Sequence, residues 1–232
     1  MGCHLRWAVR TFLAITLGGA SVADAALVSR LGGQAVYDTD LDLTWLANAN
    51  LAQTNTFGVP GINASGTMTW DTANSFIDAM NVANYLGFSG WRLPPTLQPD
   101  ATCGQHDGVG DSFGPNCTGS EMGHLFYTEL GGVSGQDINT THNANYNLFQ
   151  NIIATDSYLS STEYKPNPTV GVWAFSFGTG VQFATNKDGG GRVFPVLPGD
   201  VVPEPGSALL LGVGILTLVV FGRRGIRASR KV

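Results

Sequence analysis

The chain has 232 residues, with 12 Lys and Arg against 17 Asp and Glu, so its formal net charge is −5. The cations gather at the two ends: from Ala26 to Val202 five cations face fifteen acids, a net charge of −10. A body of this length holds one well-buried core, and its acidity argues against nucleic acid, anionic membrane surfaces and polyanionic sugars as partners, leaving neutral glycans, cations and proteins.

The chain opens with the basic stretch MGCHLRWAVR, continues with an apolar run from Thr11 to Val22, and reaches the small-x-small triplet Ala23-Asp24-Ala25. This predicts a signal peptide over 1–25 and a mature start at Ala26. AVYDTDLDLTWL then places two β-prone segments around Asp-Thr-Asp, which predicts a strand pair leading to Trp45. The alternating carboxylates Asp38, Asp40 and Asp42 offer oxygen ligands for calcium. They lack the glycine and the distant glutamate of a calcium loop, and an Asp-rich turn is the plainer reading.

In TWDTANSFIDAMNVANYLG, Trp70, Ala73, Ile77 and Met80 form an apolar stripe that predicts a helix ending at Gly87. GWRLP follows as a turn. Trp91 and Arg92 would give a sugar a stacking plane and a fork of donors, although such residues more often fix a turn against the core. Once Cys3 leaves with the signal peptide only Cys103 and Cys117 remain, and in an oxidising compartment this predicts a disulfide closing CGQHDGVGDSFGPNC. For a loop of this size the chain-entropy model gives roughly 3 kcal/mol of stabilisation. Asp107 and Asp111 inside it, with Asn116 nearby, are a second candidate for calcium, against the plainer reading of solvated turn residues.

Ser120 followed by Glu121 predicts a second helix that buries Met122, Leu125, Phe126 and Leu130 and stops at Gly131-Gly132. Glu121 and His124 have the three-residue spacing of a carboxylate-bridged di-iron ligand pair, but the second copy such a site needs is missing. The last third is β-rich: YLSSTEY, VGVWAFSF, VQFAT and RVFPVL. A three-residue loop, Gly178-Thr179-Gly180, would put Val181 and Phe183 opposite the face that carries Trp173, Phe175 and Phe177. Tyr164 and Trp173 are further aromatic candidates for a glycan-facing surface. The order predicts a single α+β domain over 26–198, with two helices and a β-rich C-terminal half. No catalytic set is recognisable, so no enzyme is expected. A secreted hydrolase would need a pocket with two close carboxylates of shifted pKa.

The end of the chain has three parts. Residues 199–205 form a linker ending in Pro203-Glu204-Pro205, where proline geometry keeps Val202 and Glu204 extended. Residues 206–222 carry no charge and, at 1.5 Å per residue, would span about 25 Å as a transmembrane helix. The tail 223–232, which begins with Gly-flanked Arg223 and Arg224, stays cytoplasmic by the positive-inside rule.

These three parts together resemble the PEP-CTERM sorting signal. The resemblance implies recognition by an exosortase-like processing enzyme, transient anchoring in the inner membrane of a Gram-negative bacterium, and delivery to the cell surface or exopolysaccharide matrix. The body resembles the Lcl C-terminal domain family through YDTDLDLTWLANAN, WDTANSFIDAMN, GFSGWRLPP, SEMGHLF, YLSSTEY and AFSFGTGVQF...NKDGGGRVFPV. That resemblance implies a C-type-lectin-like fold and a non-enzymatic, glycan-binding or adhesive role, with exopolysaccharide or another glycan as partner. A structural or protein-interaction scaffold is the alternative. Calcium is the one cofactor to weigh. Gln98-Pro99-Asp100 is similar to the tripeptide by which galactose-type C-type lectins hold calcium and sugar, but the Trp-Asn-Asp partner is missing downstream.

Overall fold

Short runs in which apolar side chains alternate or fill every position build two larger antiparallel sheets, whose inner strands 43–46 and 171–176 are buried along nearly their whole length. A computed structural model describes residues 27–202. The expected signal peptide, Pro203-Glu204-Pro205, the apolar segment 206–222 and the tail with Arg223 and Arg224 lie outside the described residues. Among the described residues no helix is long and apolar enough to cross a membrane.

The first sheet runs β1 (Leu27–Arg30), β2 (Ala35–Asp38), β3 (Leu43–Leu46) and β9 (Val196–Pro198), all antiparallel. The Asp-rich segment is the expected turn, with Asp38 opposite Leu43. β1 and the pairing of β9 with β3 were not expected; Trp45 faces Val196 across that pairing. The second sheet is β6 (Ser157–Glu163), β7 (Gly171–Ser176) and β8 (Val181–Asn186).

Both faces of β3 are buried. Trp45 enters a core with Phe126, Tyr158, Phe175, Phe177 and Phe194, and its neighbour Leu46 enters a second core with Phe76, Met80, Trp91, Leu159 and Val172. β6 repeats the division, Tyr158 to one core and Leu159 to the other, because adjacent side chains of a strand point to opposite faces. Removing any one of these large side chains would cost about 3–5 kcal/mol.

α1 (Trp70–Val82) covers the second core with Ala73, Phe76, Ile77 and Met80. The Thr69 hydroxyl accepts from the Thr72 amide and caps its start. It ends at Val82 rather than Gly87, and the chain passes through left-handed Asn84 and Leu86 in a short 3-10 turn. α2 (Glu121–His124) covers the first core and continues as a π-helical turn, Leu125–Glu129, closed by the Leu130 amide on the Leu125 carbonyl. Ser120 precedes α2 as expected, but its hydroxyl accepts from the Leu97 amide instead of capping the helix.

The register of β7 and β8 corrects one expectation. Their connection is the four residues Phe177–Gly180, so Val181 faces Ser176, Phe175 faces Gln182 and Trp173 faces Ala184. Val181 and Phe183 therefore lie on the other face from Trp173 and Phe175. The shared face of Trp173, Phe175, Gln182 and Ala184 is where the Cys103–Cys117 loop docks. This loop contains β4 (Gln105–His106) and β5 (Ser112–Phe113), and its disulfide is formed.

Gly123 sets the approach of α2 to that loop, because a Cβ there would fall inside the Cys117 carbonyl oxygen. Nothing lies within 4 Å of a Cβ on Gly108 at the loop tip. Gly123→Ala is expected to destabilise by about 1–3 kcal/mol, as overpacking does, and Gly108→Ala to leave stability nearly unchanged. Urea midpoints of both variants against the parent chain are the check.

Candidate functional site

The disulfide loop is fastened to the edge of the second sheet by backbone and side-chain bonds together. Gly114 and Gln182 exchange amide-to-carbonyl bonds of 2.8 and 3.0 Å. The buried Gln182 amide also donates to the Ser112 carbonyl at 3.0 Å. From the other side Gln98 acts like a strand edge, its Oε1 accepting from the Ser112 amide and its Nε2 donating to the Ser112 carbonyl, both at 2.7 Å. Asp100 is buried and its carboxylate accepts from Thr102 and from the Gly119 amide. Gln98-Pro99-Asp100 is thus internal scaffolding of the loop.

Where the loop stops short of the sheet it leaves a cleft of about 240 Å³, lined by Asp107, Asp111, Phe113, Tyr164, Trp173 and Phe183. Tyr164 stands edge-on to Trp173, with ring centroids 5.5 Å apart. Tyr164 and Ala184 also border a second hollow of about 190 Å³, which adds Asn167, Val170, Gly171, Thr185 and Asn186. Tyr164 is therefore shared by an acidic chamber with aromatic walls and a hollow of mixed polar and apolar lining. Two pairs proposed separately from the sequence, Tyr164 with Trp173 and Asp107 with Asp111, meet in a single chamber. Phe113 was not singled out, because only the docking of the loop brings it there; Phe183, whose side chain lies on the other face of β8 from Trp173, borders the chamber from the edge strand.

The two carboxylates are unlike. Asp107 Oδ1 accepts from the Val109 amide at 3.0 Å and the Asp111 amide at 2.8 Å, which holds the loop tip closed. Asp111 is only 6% exposed, and its Oδ2 is buried with no hydrogen-bond partner. Burial pushes its carboxyl pKa up and the Asp107 charge adds to this, while exposed Lys165 acts in the opposite direction. Among the described residues neither Asp107 nor Asp111 forms an ion pair.

The remaining sequence candidates are structural. Trp91 is 2% exposed, as deeply buried as Trp173, and its indole N–H donates to the Tyr85 carbonyl at 3.1 Å, which fixes the turn against the core. Arg92 makes a bidentate pair with Glu121 at 2.9 and 2.6 Å and ties the GWRLP turn to the start of α2. The Asp38, Asp40 and Asp42 side chains do not converge on a common cation site. Asp42 is exposed and accepts from the Tyr37 hydroxyl, while Asp38 is fully buried and accepts from the Asp40 and Leu41 amides. Glu121 and His124 also diverge, since His124 Nε2 sits 3.1 Å from Glu129 Oε1.

That last contact belongs to a cluster invisible in the sequence. Ligand-type atoms of Asp38, His124 and Glu129 all lie within 4.8 Å of one another, beneath the π-helical turn. Burial raises the pKa of both carboxyls. For Glu129 the Asp38 charge adds to burial and His124 opposes it; for Asp38 the Leu41 amide, His124, Trp45 and the Asp40 amide oppose it.

Compared with protein-family models, with curated proteins and with solved structures, the chain matches none.

The cluster gives a pH dependence with a definite sign. The folded chain binds these two protons more tightly than the unfolded chain, so each carboxyl costs stability once ionised. The cost is absent below the ordinary carboxylate value near 4 and grows as pH rises through the raised folded values. Glu129→Gln removes one of these titrations. Between about pH 4 and 5.5, below the range where histidine ordinarily titrates, its stability relative to the parent should rise with pH. Urea midpoints across that range measure it, and parallel curves would show that Glu129 does not titrate differently on folding.

Proposed function

We propose that this chain is an exported surface or matrix protein whose described domain is a C-type-lectin-like, non-enzymatic glycan-binding module. The observation that carries the reading is the double hollow around Tyr164. An aromatic ring between an apolar chamber and one lined by Asn167, Thr185 and Asn186 suits a sugar, which has apolar C–H faces and hydroxyl edges. The three-part C-terminal sequence, with Pro203-Glu204-Pro205 and Arg223-Arg224, supports delivery by an exosortase-like enzyme after passage through the inner membrane. An acidic body is consistent with work outside the cytoplasm on partners that are not polyanions.

One observation favours a second reading, a secreted glycoside hydrolase: two carboxylates share a pocket and burial raises one of them. A hydrolytic pair flanks the scissile bond. Asp107 and Asp111 instead come from one five-residue turn, and Asp107 Oδ1 is occupied by two backbone amides of that turn. Binding is therefore the better supported activity.

The test is a panel of neutral, amine-bearing and sulfated polysaccharides presented to the full chain, with products analysed for cleavage. Saturable binding without shortened chains is expected. Tyr164→Ala should weaken it at least about tenfold, in line with the ~1–3 kcal/mol lost when a stacking or hot-spot aromatic is truncated. Binding to no glycan would leave the scaffold reading in front, and cleavage products would establish the hydrolase.

A further inference from the structure

The chamber on the loop side of Tyr164 combines two features that a neutral sugar ring does not explain. Half-buried Phe113 and Tyr164 supply aromatic surface next to the buried Trp173, and Asp107 and Asp111 supply negative charge beside it. Asp111 Oδ2 is the buried side-chain oxygen left without a partner among the described residues. An unpaired buried acceptor is destabilising, the more so when it carries charge, so a ligand that donates to it relieves a standing cost.

The chemistry narrows the ligand further. Aromatic faces attract organic cations through their quadrupole, and a carboxylate strengthens that attraction. Calcium requires six to eight oxygen ligands, whereas the named lining residues with side-chain oxygens are two aspartates and one tyrosine. The close groupings of metal-ligating side chains among the described residues are Asp38–His124–Glu129 and the disulfide cysteines with Asp100, and neither includes Asp107 or Asp111. A compact cation with N–H donors and an apolar body satisfies both walls.

Among the described residues the molecule's own cations do not fill this role. Arg30 pairs with Asp200, Arg92 with Glu121, Lys187 with Glu163 and Arg192 with Asp156. Lys165 is exposed and influences Asp111 through its field without forming an ion pair among the described residues. Among the described residues the chamber's negative charge is thus offset only by the field of Lys165 and by no ion pair.

We infer that the chamber formed by Asp107, Asp111, Tyr164 and Trp173 binds the protonated amine of an amino sugar, while the Asn167–Asn186 side receives the neighbouring sugar hydroxyls. This rests on the glycan-binding reading and names its substrate class: glycans with free, unacetylated amines. The ammonium donates to Asp111 Oδ2, the sugar's C–H face lies against the aromatic wall, and an N-acetyl group in the same place would bring neither charge nor a compact donor.

The experiment is calorimetric titration of the full chain with a glucosamine oligosaccharide, its fully N-acetylated counterpart and oligolysine, each with calcium and with chelator. The amine-bearing sugar is expected to bind at least about tenfold more tightly than the acetylated one, equally in chelator, and more weakly as salt is raised. Asp111→Asn should abolish most of that preference. Because it removes an unpaired buried charge, its thermal midpoint should be no lower than the parent's, which separates lost binding from lost folding. Lys165→Ala should tighten amine binding by removing a competing charge.

Equal affinity for both sugars would overturn the amine assignment and leave glycan binding intact; binding to neither would remove both. Loss in chelator would assign the carboxylates to calcium instead. Oligolysine binding as tightly as the sugar would overturn the carbohydrate part.

Discussion

The reciprocal bonds between Gly114 and Gln182 decide whether this molecule has its cleft at all. β8 is an edge strand, and an unpaired edge is a template for other chains. Here a glycine-rich loop occupies part of that edge. Once Gly114 pairs with Gln182, the disulfide and the Gln98 side chain hold Ser112 and Phe113 against the sheet. The loop tip, from Asp107 to Asp111, is then left projecting over Trp173 and Tyr164. The cleft is the space between a short strand pair that docks and a tip that does not.

The same arrangement explains why an unpaired carboxylate persists. Asp107 uses one oxygen to close the tip through two amides, which fixes the Asp111 backbone. The Asp111 side chain is carried along into a semi-enclosed position that it would not choose for its own solvation. Sites that recognise charge commonly hold groups in environments that raise their free energy in the unliganded state, with the surrounding scaffold stable enough to bear it. The scaffold here is two aromatic cores separated by inner strands buried on both faces, and the cost at Asp111 is distributed over that mass.

Much of the frame was legible because its signals are local. The Asp-rich turn, the α1 stripe, the start of α2, the aromatic hairpin and the single cysteine pair all follow from residues within about twenty positions of each other. What escaped is non-local or a matter of one residue. β9 returns to β3 across some 150 residues, which no periodicity announces. A loop of four residues instead of three between β7 and β8 shifts the register by one and sends Val181 and Phe183 to the opposite face, because side chains alternate with period two. Trp91 and Arg92 look like sugar-binding residues in isolation, and only the distant partners Tyr85, Asn81 and Glu121 show that they hold the turn. The chamber itself required the loop and the hairpin to be placed together.

Charge bookkeeping across the described residues completes the physical argument. Four of the five cations are bound up in pairs that join distant segments: β1 to Asp200, the GWRLP turn to α2, Lys187 to β6, and the Arg192 segment to Asp156. Arg192 is nearly buried and also reaches Asn50 and the Ser65 carbonyl, so it serves as an internal tie. Cations used in this way cannot offset the acids elsewhere, and the excess is expressed as an outward negative field over the remaining carboxylates. Asp107 and Asp111 sit within that field with low-dielectric aromatic walls on one side, a setting that strengthens attraction for a cation relative to open water. The overall acidity and the local chamber therefore act in the same direction: both repel polyanions and attract compact cations.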